Sequence, residues 1–377
     1  MMERQRRFLV RVGAMAGKET LHIRRDPRTL YLALVMPPVL LLIFGYGVSF
    51  DLDEIPLAIS DADRSPDSRA LVNAFCRSNE FEVVLRSGPE DAERWLLRGE
   101  AQAALLVRPG YARDLARGHP AKAELLIEGS DATSANQILQ KAGAIARTES
   151  LRHASRAGLA ASLPLEMHLW TRYNPAARSI VFLVPALTAL LMAIGAVLLT
   201  ALTVSGEWER GSMEQLFASP VGRFEIILGK LLPYLVLGLL QLLLVLAVGA
   251  TAFDVPIRGD LGLLFVFGFF FLICMLGQGL FVSVVAKNQL VATQAAVLSS
   301  LMPSLLLSGM LFPVENMPGV LQVVSTVIPA RYLVHALRGI QLKGSGLALL
   351  WPDLLALTLF ASAILGLATA LFQRRVA

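Results

Sequence analysis

The stretch SIVFLVPALTALLMAIGAVLLTALTV, Ser179 to Val204, runs for 26 residues without one charged side chain. As a helix it is about 39 Å long, more than the roughly 30 Å hydrocarbon core of a bilayer. In such a core every backbone N–H and C=O must be satisfied within the protein, which leaves a helix as the simplest form for one apolar run. Five further runs meet the same length requirement. The sequence therefore predicts six transmembrane helices, at Thr29–Phe50, Arg178–Val204, Lys230–Phe253, Leu261–Ala286, Leu290–Phe312 and Leu349–Phe372. Composition agrees: 55% of residues are hydrophobic, 17% are charged and the mean hydropathy is +0.59, which excludes an ordinary water-soluble globule.

The first apolar run is too long for a cleaved signal peptide and lacks a small-residue cleavage site before DLDEIP. Arg4, Arg6, Arg7, Arg11, Lys18, Arg24, Arg25 and Arg28 precede it, which predicts a cytoplasmic N-terminus. Six spans then return the C-terminus to the same side. Arg331, Arg338 and Lys343 fall in an external segment on this layout and fit the charge rule less well. Phe8, Val12 and Met15 recur at helical spacing among the arginines, so residues 1–28 read as an amphipathic helix at the cytoplasmic interface with anionic lipid. The formal net charge of +5 is explained by that cluster and carries no sign of nucleic-acid binding.

Residues 51–177 differ in kind. Short apolar runs (IPLAIS, FEVVL, AQAALLV, AELLIE) alternate with helix-like segments, and glycines at 88, 99, 110 and 118 punctuate them. Ser65 before Pro66 is a helix start, as is Pro89 followed by Glu90, Asp91 and Glu93. The pattern predicts a compact α/β domain on the external face, closed by a last strand in LEMHLWTRYNP. Asp61, Asp63 and Asp67 lack the glycine and terminal glutamate of a calcium loop. The five histidines are scattered, and Cys76 and Cys274 fall in different compartments, so neither a metal centre nor an intrachain disulfide is expected.

The spans themselves exclude further classes. No acid, lysine, arginine or histidine lies in the middle of spans two to five, and Asp353 sits near the edge of the sixth. Proton-coupled transport and intramembrane hydrolysis both need such groups. The polar residues there are uncharged: Gln241, Gln278, Gln294, Ser304 and Ser308 either bond between helices or face a substrate path. No G-x-x-x-x-G-K-[ST] phosphate loop is present, since Gly17-Lys18 and Gly229-Lys230 lack the earlier glycine. Energy for transport must then come from another chain. After span five, Pro313, Glu315, Asn316 and Pro318 lie in an external connector, residues 313–348, where a turn at PVEN, a short helix from Pro318 to Thr326 and a break at IPAR are expected.

The least expected segment joins spans two and three. SGEWERGSMEQLFASPVGRFEIILGK, Ser205 to Lys230, carries seven charged residues. Span two is expected to run on to a stop at Gly211, and Ser212 with Gln215 forms a capping box for a short helix ended by Ser219-Pro220. Glu214 and Gln215 beside Met213, Leu216 and Phe217 suit docking on a partner's groove.

This segment closely resembles the cytoplasmic loop of ABC-2-type permeases of the drug-efflux-like branch, which carry a similar E-x-E-x-G-[ST]-x-E-Q-L run ending in E-x-x-x-G-K. LSGMLFPVENMPGVLQ is similar to their external connector. The resemblance implies a helical membrane protein with six transmembrane helices, the ABC-2 exporter fold, and an inserted α/β extracytoplasmic domain. It implies the non-enzymatic transport subunit of an exporter in a bacterial inner membrane, with both termini cytoplasmic, moving amphipathic drugs, dyes or lipids. ATP and Mg would be bound by a separate ABC ATPase subunit, and a second permease chain, identical or paralogous, would complete the pair. A periplasmic adaptor and an outer-membrane channel are further partners it allows. Glu207, Glu209, Arg210, Gly211, Ser212, Glu214, Gln215 and Pro220 carry over as residues coupling to the ATPase. Two other readings of the residues remain at this point. One is a receptor or scaffold with a ligand-binding ectodomain; the other is an ion-coupled carrier, which the uncharged spans disfavour.

Overall fold

A computed structural model describes residues 2–47, 54–86, 95–96, 98–117, 119, 121–128, 132–156, 178–213, 215 and 221–371. The chain divides into two compact units, one of residues 49–170 and one made of 1–48 with 171–377. The second unit opens with α1, Met2–Arg25. Asp26 accepts from the Arg28 amide at 3.0 Å and caps the next helix, α2, Pro27–Gly47, whose first residue is the helix-starting Pro27.

The smaller unit is the inserted α/β domain. Its elements are β1 (Ile55–Asp61), α3 (Pro66–Cys76), β2 (Phe81–Arg86), β3 (Ala103–Val107), α4 (Tyr111–Ala116), β4 (Ala123–Ile127) and α5 (Ala132–Arg156). The sheet order is β2-β1-β3-β4; β1 lies parallel to both neighbours and β4 is antiparallel to β3. A parallel β1–β2 pair requires a crossover, and α3 supplies it. Period two along β1 sends Ile55, Leu57 and Ile59 to the face covered by Leu71, Val72 and Phe75 of α3 and Ile138 of α5. Ala58 faces the other side with Trp95. Ser65 caps α3, accepting from the Ser68 amide at 3.0 Å. Asp61 and Asp63 act as loop clamps: Asp61 accepts from the Arg64 amide at 2.9 Å, and Asp63 from those of Gly110 and Ala112 at 2.6 and 3.1 Å. The Ser65 hydroxyl and those amides hold the Asp63 carboxyl below its ordinary range. The helix expected from Pro89 and the strand expected in LEMHLWTRYNP lie largely or wholly outside the described residues.

The larger unit continues with α6 (Ser179–Glu209), α7 (Arg223–Ala252), α8 (Leu261–Ala286), α9 (Gln289–Leu307), α10 (Gly319–Ser325), α11 (Pro329–Arg338) and α12 (Leu347–Leu371). Six helices among the described residues, α2, α6, α7, α8, α9 and α12, are long and apolar enough to cross a membrane. α6 is the centre of the bundle: 78% of its most apolar window is buried, against 17% for α12. It packs on α7, α8 and α9. The closest approach is at Gly279, where a Cβ would stand 2.4 Å from the Val197 carbonyl oxygen, so α8 can meet α6 only through a glycine.

α6 runs on to Glu209 with Gly211 as its stop, and α7 begins at Arg223, ahead of the Lys230 at which the third span was read, which leaves 210–222 between the two helices. Glu207 and Glu225, though acidic, are buried in the packing of these helix ends. In the connector, a 3-10 turn at Val314–Asn316 precedes α10, and α10 and α11 meet at an 88° bend. His335 Nδ1, on α11, lies 2.7 Å from Asp353 Oδ2 and ties the connector to α12.

Candidate functional site

α6 ends where Gly211 takes φ +69, a left-handed conformation that glycine adopts without a Cβ clash. The Gly211 amide donates to the Trp208 carbonyl at 3.1 Å, and Arg210 folds back so that Nε donates to the Gly206 carbonyl at 2.9 Å. The Ser212 hydroxyl donates to the Glu207 carbonyl at 3.2 Å. At the far side of the loop, Glu225 reaches back to accept from the Gly222 amide at 2.6 Å, which satisfies one donor at the start of α7. Arg11 of α1 stands 3.5 Å from the same carboxylate.

One turn further in, three helices meet around a buried cation. Lys230 of α7, with a side chain 3% exposed, pairs directly with Glu207 Oε2 of α6 and lies 3.9 Å from Glu19 Oε2 of α1. Tyr234 donates to Glu19 Oε1 at 2.9 Å, and its oxygen is 2.9 Å from Thr203 Oγ1. Lys18 approaches Glu207 Oε1 at 3.8 Å from the solvent side. Two buried carboxylates thus share one buried ammonium, and the exposed Lys18 covers Glu207 from outside. Contact this close requires α1 and α7 to touch, and Gly229 permits it: a Cβ there would sit 2.5 Å from Met15 Cβ and 3.2 Å from the Val12 carbonyl oxygen. The apolar face of α1 therefore packs on α7 through Val12 and Met15, where the sequence reading had assigned it to lipid.

The neighbouring turn closes the site. Glu209 Oε1 accepts from the Gln289 amide at 2.8 Å, so the end of α6 caps the start of α9. Lys287, itself left-handed at φ 51, holds its ammonium 5.3 Å from the Trp208 ring centroid.

Of the residues read as coupling, Glu207 and Glu209 lie on α6, Arg210 and Gly211 form the turn that ends it, Ser212 bonds back to α6, and Gln215 is helical and exposed. Glu214 and Pro220, with Leu216 and Phe217, lie outside the described residues. Met213 corrects the sequence reading: it is fully buried in the bundle core, so it anchors the loop inward and offers nothing to a partner. In the proposed substrate path, Gln241 donates to the Leu191 carbonyl at 3.2 Å and Gln278 to Ser299 at 3.1 Å, both interhelical bonds. Gln294 is exposed, while Ser304 and Ser308 are buried. Pro313, Glu315, Asn316 and Pro318 form the 3-10 turn and the start of α10, where Gln322 donates to the Glu315 and Met317 carbonyls at 3.3 and 2.9 Å.

Sequence reasoning passed over Glu19, Lys230, Tyr234 and Arg338. An acid at position 19 on the stripe Val12, Met15, Ile23 was the available signal for Glu19. Arg338 donates to the Gly309 carbonyl at 2.9 Å, the Phe182 carbonyl at 3.3 Å and the Met310 carbonyl at 3.4 Å, with its guanidinium carbon 3.4 Å from the Phe182 ring centroid. Arg331 donates to the Ser325 hydroxyl at 2.6 Å. These two cations hold the connector together.

The profile of the ABC-2 family transporter proteins matches residues 29–370. The chain belongs to the ABC-2 transporter family. It is 31% identical over 367 residues to the probable multidrug ABC transporter permease YbhS of Escherichia coli K12, covering 97% of each chain. It is 30% identical to the probable multidrug ABC transporter permease YbhR of the same strain, covering 97% of this chain and 99% of YbhR. The inner membrane transport permease YhhJ of that strain is 25% identical over 355 residues. This ABC-2 permease is thus a multi-pass helical membrane protein with an inserted α/β domain, and its family implies an ABC ATPase partner and a second permease chain.

Proposed function

We propose that this permease is the membrane subunit of an ATP-driven exporter, powered by a separate ATPase that docks on the 210–222 loop. The buried cluster of Glu19, Glu207, Lys230 and Tyr234 carries the reading, because it joins three helices directly behind that loop. A push on the loop reaches α6 through Gly211 and Ser212, and α7 through Glu225. Lys230 bridges the two and passes the displacement to α1, while Glu209 delivers it to α9. A buried ion pair suits this task, since separating its members is far costlier than moving them together.

The exported substrates are proposed to be amphipathic drugs, dyes or lipids, in keeping with an aliphatic bundle and with the multidrug names of YbhS and YbhR. We place the chain in a bacterial inner membrane with both termini cytoplasmic, ATP and Mg on the partner, and the α/β domain outside. There a periplasmic adaptor leading to an outer-membrane channel is the expected contact. The test is gentle extraction of the tagged permease with its neighbouring proteins, followed by ATPase assay of the co-purified complex. An ATPase recovered with wild type and lost or uncoupled by Glu214→Arg or Gln215→Arg supports docking on this loop. A permease that transports in vesicles with no ATPase present would overturn it.

A further inference from the structure

We propose that the groove between the first turn of α7 and the last turns of α12 is a binding site for an anionic phospholipid. The groove has a volume of about 610 Å³ and is lined by Arg223, Phe224, Leu365, Gly366, Thr369 and Ala370, among others. One end is therefore cationic and the rest apolar or small, which matches a phosphate head above an acyl chain. Arg223 is exposed and makes no hydrogen bond or ion pair among the described residues. The adjacent acid does not neutralise it: Glu225 is taken by the Gly222 amide at 2.6 Å and by Arg11 at 3.5 Å. Phe224 is fixed as a wall by stacking on Phe8 of α1, centroids 6.4 Å apart. The floor is open, since a Cβ on Gly366 would meet no atom within 4 Å.

The position selects the occupant. Arg223 begins a membrane-spanning helix and Leu371 ends another, so the groove opens to lipid at the level where headgroups lie. Basic pockets between transmembrane helices at that depth favour acidic lipids. A zwitterionic headgroup brings its own cation and gains little from an unpaired guanidinium. This inference does not depend on export or on an ATPase.

The experiment is lipid titration of the purified full-length chain in detergent, read by native mass spectrometry, with phosphatidylglycerol and phosphatidylcholine of identical acyl chains. Free glycerol phosphate serves as the headgroup without its tail. Wild type is expected to bind phosphatidylglycerol more tightly than phosphatidylcholine and to ignore glycerol phosphate. Arg223→Gln should weaken phosphatidylglycerol about fivefold, the effect of one cation near a membrane surface, and Arg223→Lys should restore most of it. Gly366→Leu, which fills the groove and keeps the charge, should weaken both lipids. The proposal is overturned if wild type binds the two lipids equally, or if both variants keep the preference unchanged, which would assign it to the α1 arginines. It is also overturned if the variants change the oligomeric state and leave lipid binding intact, which would make the groove a protein interface.

Discussion

Replacing Lys230 by methionine tests the buried cluster most directly. The substitution keeps the aliphatic stem and removes the cation that faces Glu19, 2% exposed, and Glu207, 10% exposed. Removing one partner of a buried ion pair costs about 3–5 kcal/mol, because the other charge is left uncompensated. Lys18, 3.8 Å from Glu207 Oε1, still covers one carboxylate from outside, which puts the expected loss at the lower end, about 3 kcal/mol. For a unit of this size each kcal/mol lowers the melting temperature by roughly 2–4 °C, so a drop of roughly 6–12 °C is expected. The assay is thermal unfolding of the full chain in mild detergent, followed by tryptophan fluorescence. The triple variant Lys230→Met, Glu19→Gln, Glu207→Gln removes the stranded charges and should recover most of the loss. A single-variant shift under roughly 2 °C, or a triple variant less stable than the single, would refute the reasoning.

Arg338→Met should destabilise the connector by about 3 kcal/mol, since its charge-assisted bonds to Gly309 and Phe182 are lost, with Arg338→Lys recovering only part because the planar fork is gone; thermal unfolding reads both. Gly229→Leu should push α1 off α7 at a cost of about 1–3 kcal/mol, seen as faster proteolysis of the first 25 residues. Glu209→Ala should lower stability by about 1 kcal/mol and raise hydrogen exchange at the start of α9. The α/β domain should loosen in acid. Hydrogen bonds depress Asp63 in the fold, so its contribution is full above its unfolded value of 3.8 and is lost as pH falls through the lower folded value. Hydrogen exchange at residues 61–65 and 110–116, corrected for intrinsic rate, should show this opening, and Asp63→Asn should remove its pH dependence.

Local signals were legible because they depend on neighbours in sequence. The six apolar spans, the short apolar run IPLAIS, the Ser65-Pro66 start and the Gly211 stop are all signals carried by neighbours in sequence. The cluster was not legible for the opposite reason. Glu19, Glu207 and Lys230 meet across helices that no local rule pairs, and each looks in sequence like a surface charge near a membrane end. Met213 failed in the same way: an apolar residue between charges reads as a partner's anchor, and only packing shows it turned inward. Arg338 reads in sequence as a charge near a membrane end, and only the fold brings the Gly309 and Phe182 carbonyls to it.

The length of α6 has a mechanical consequence. One unbroken helix carries the Arg338 anchor at Phe182 and the ion pair at Glu207, and some 25 residues between them make a rod of about 38 Å. Pro185, close to the anchored end, gives the rod a place to flex. Held there, it behaves as a lever arm, and a tilt of only about 5° sweeps its far tip by about 3 Å over that length. With the Phe182 end held, the sweep is largest at the Glu207 end, and its size is set by where along α6 the fulcrum lies.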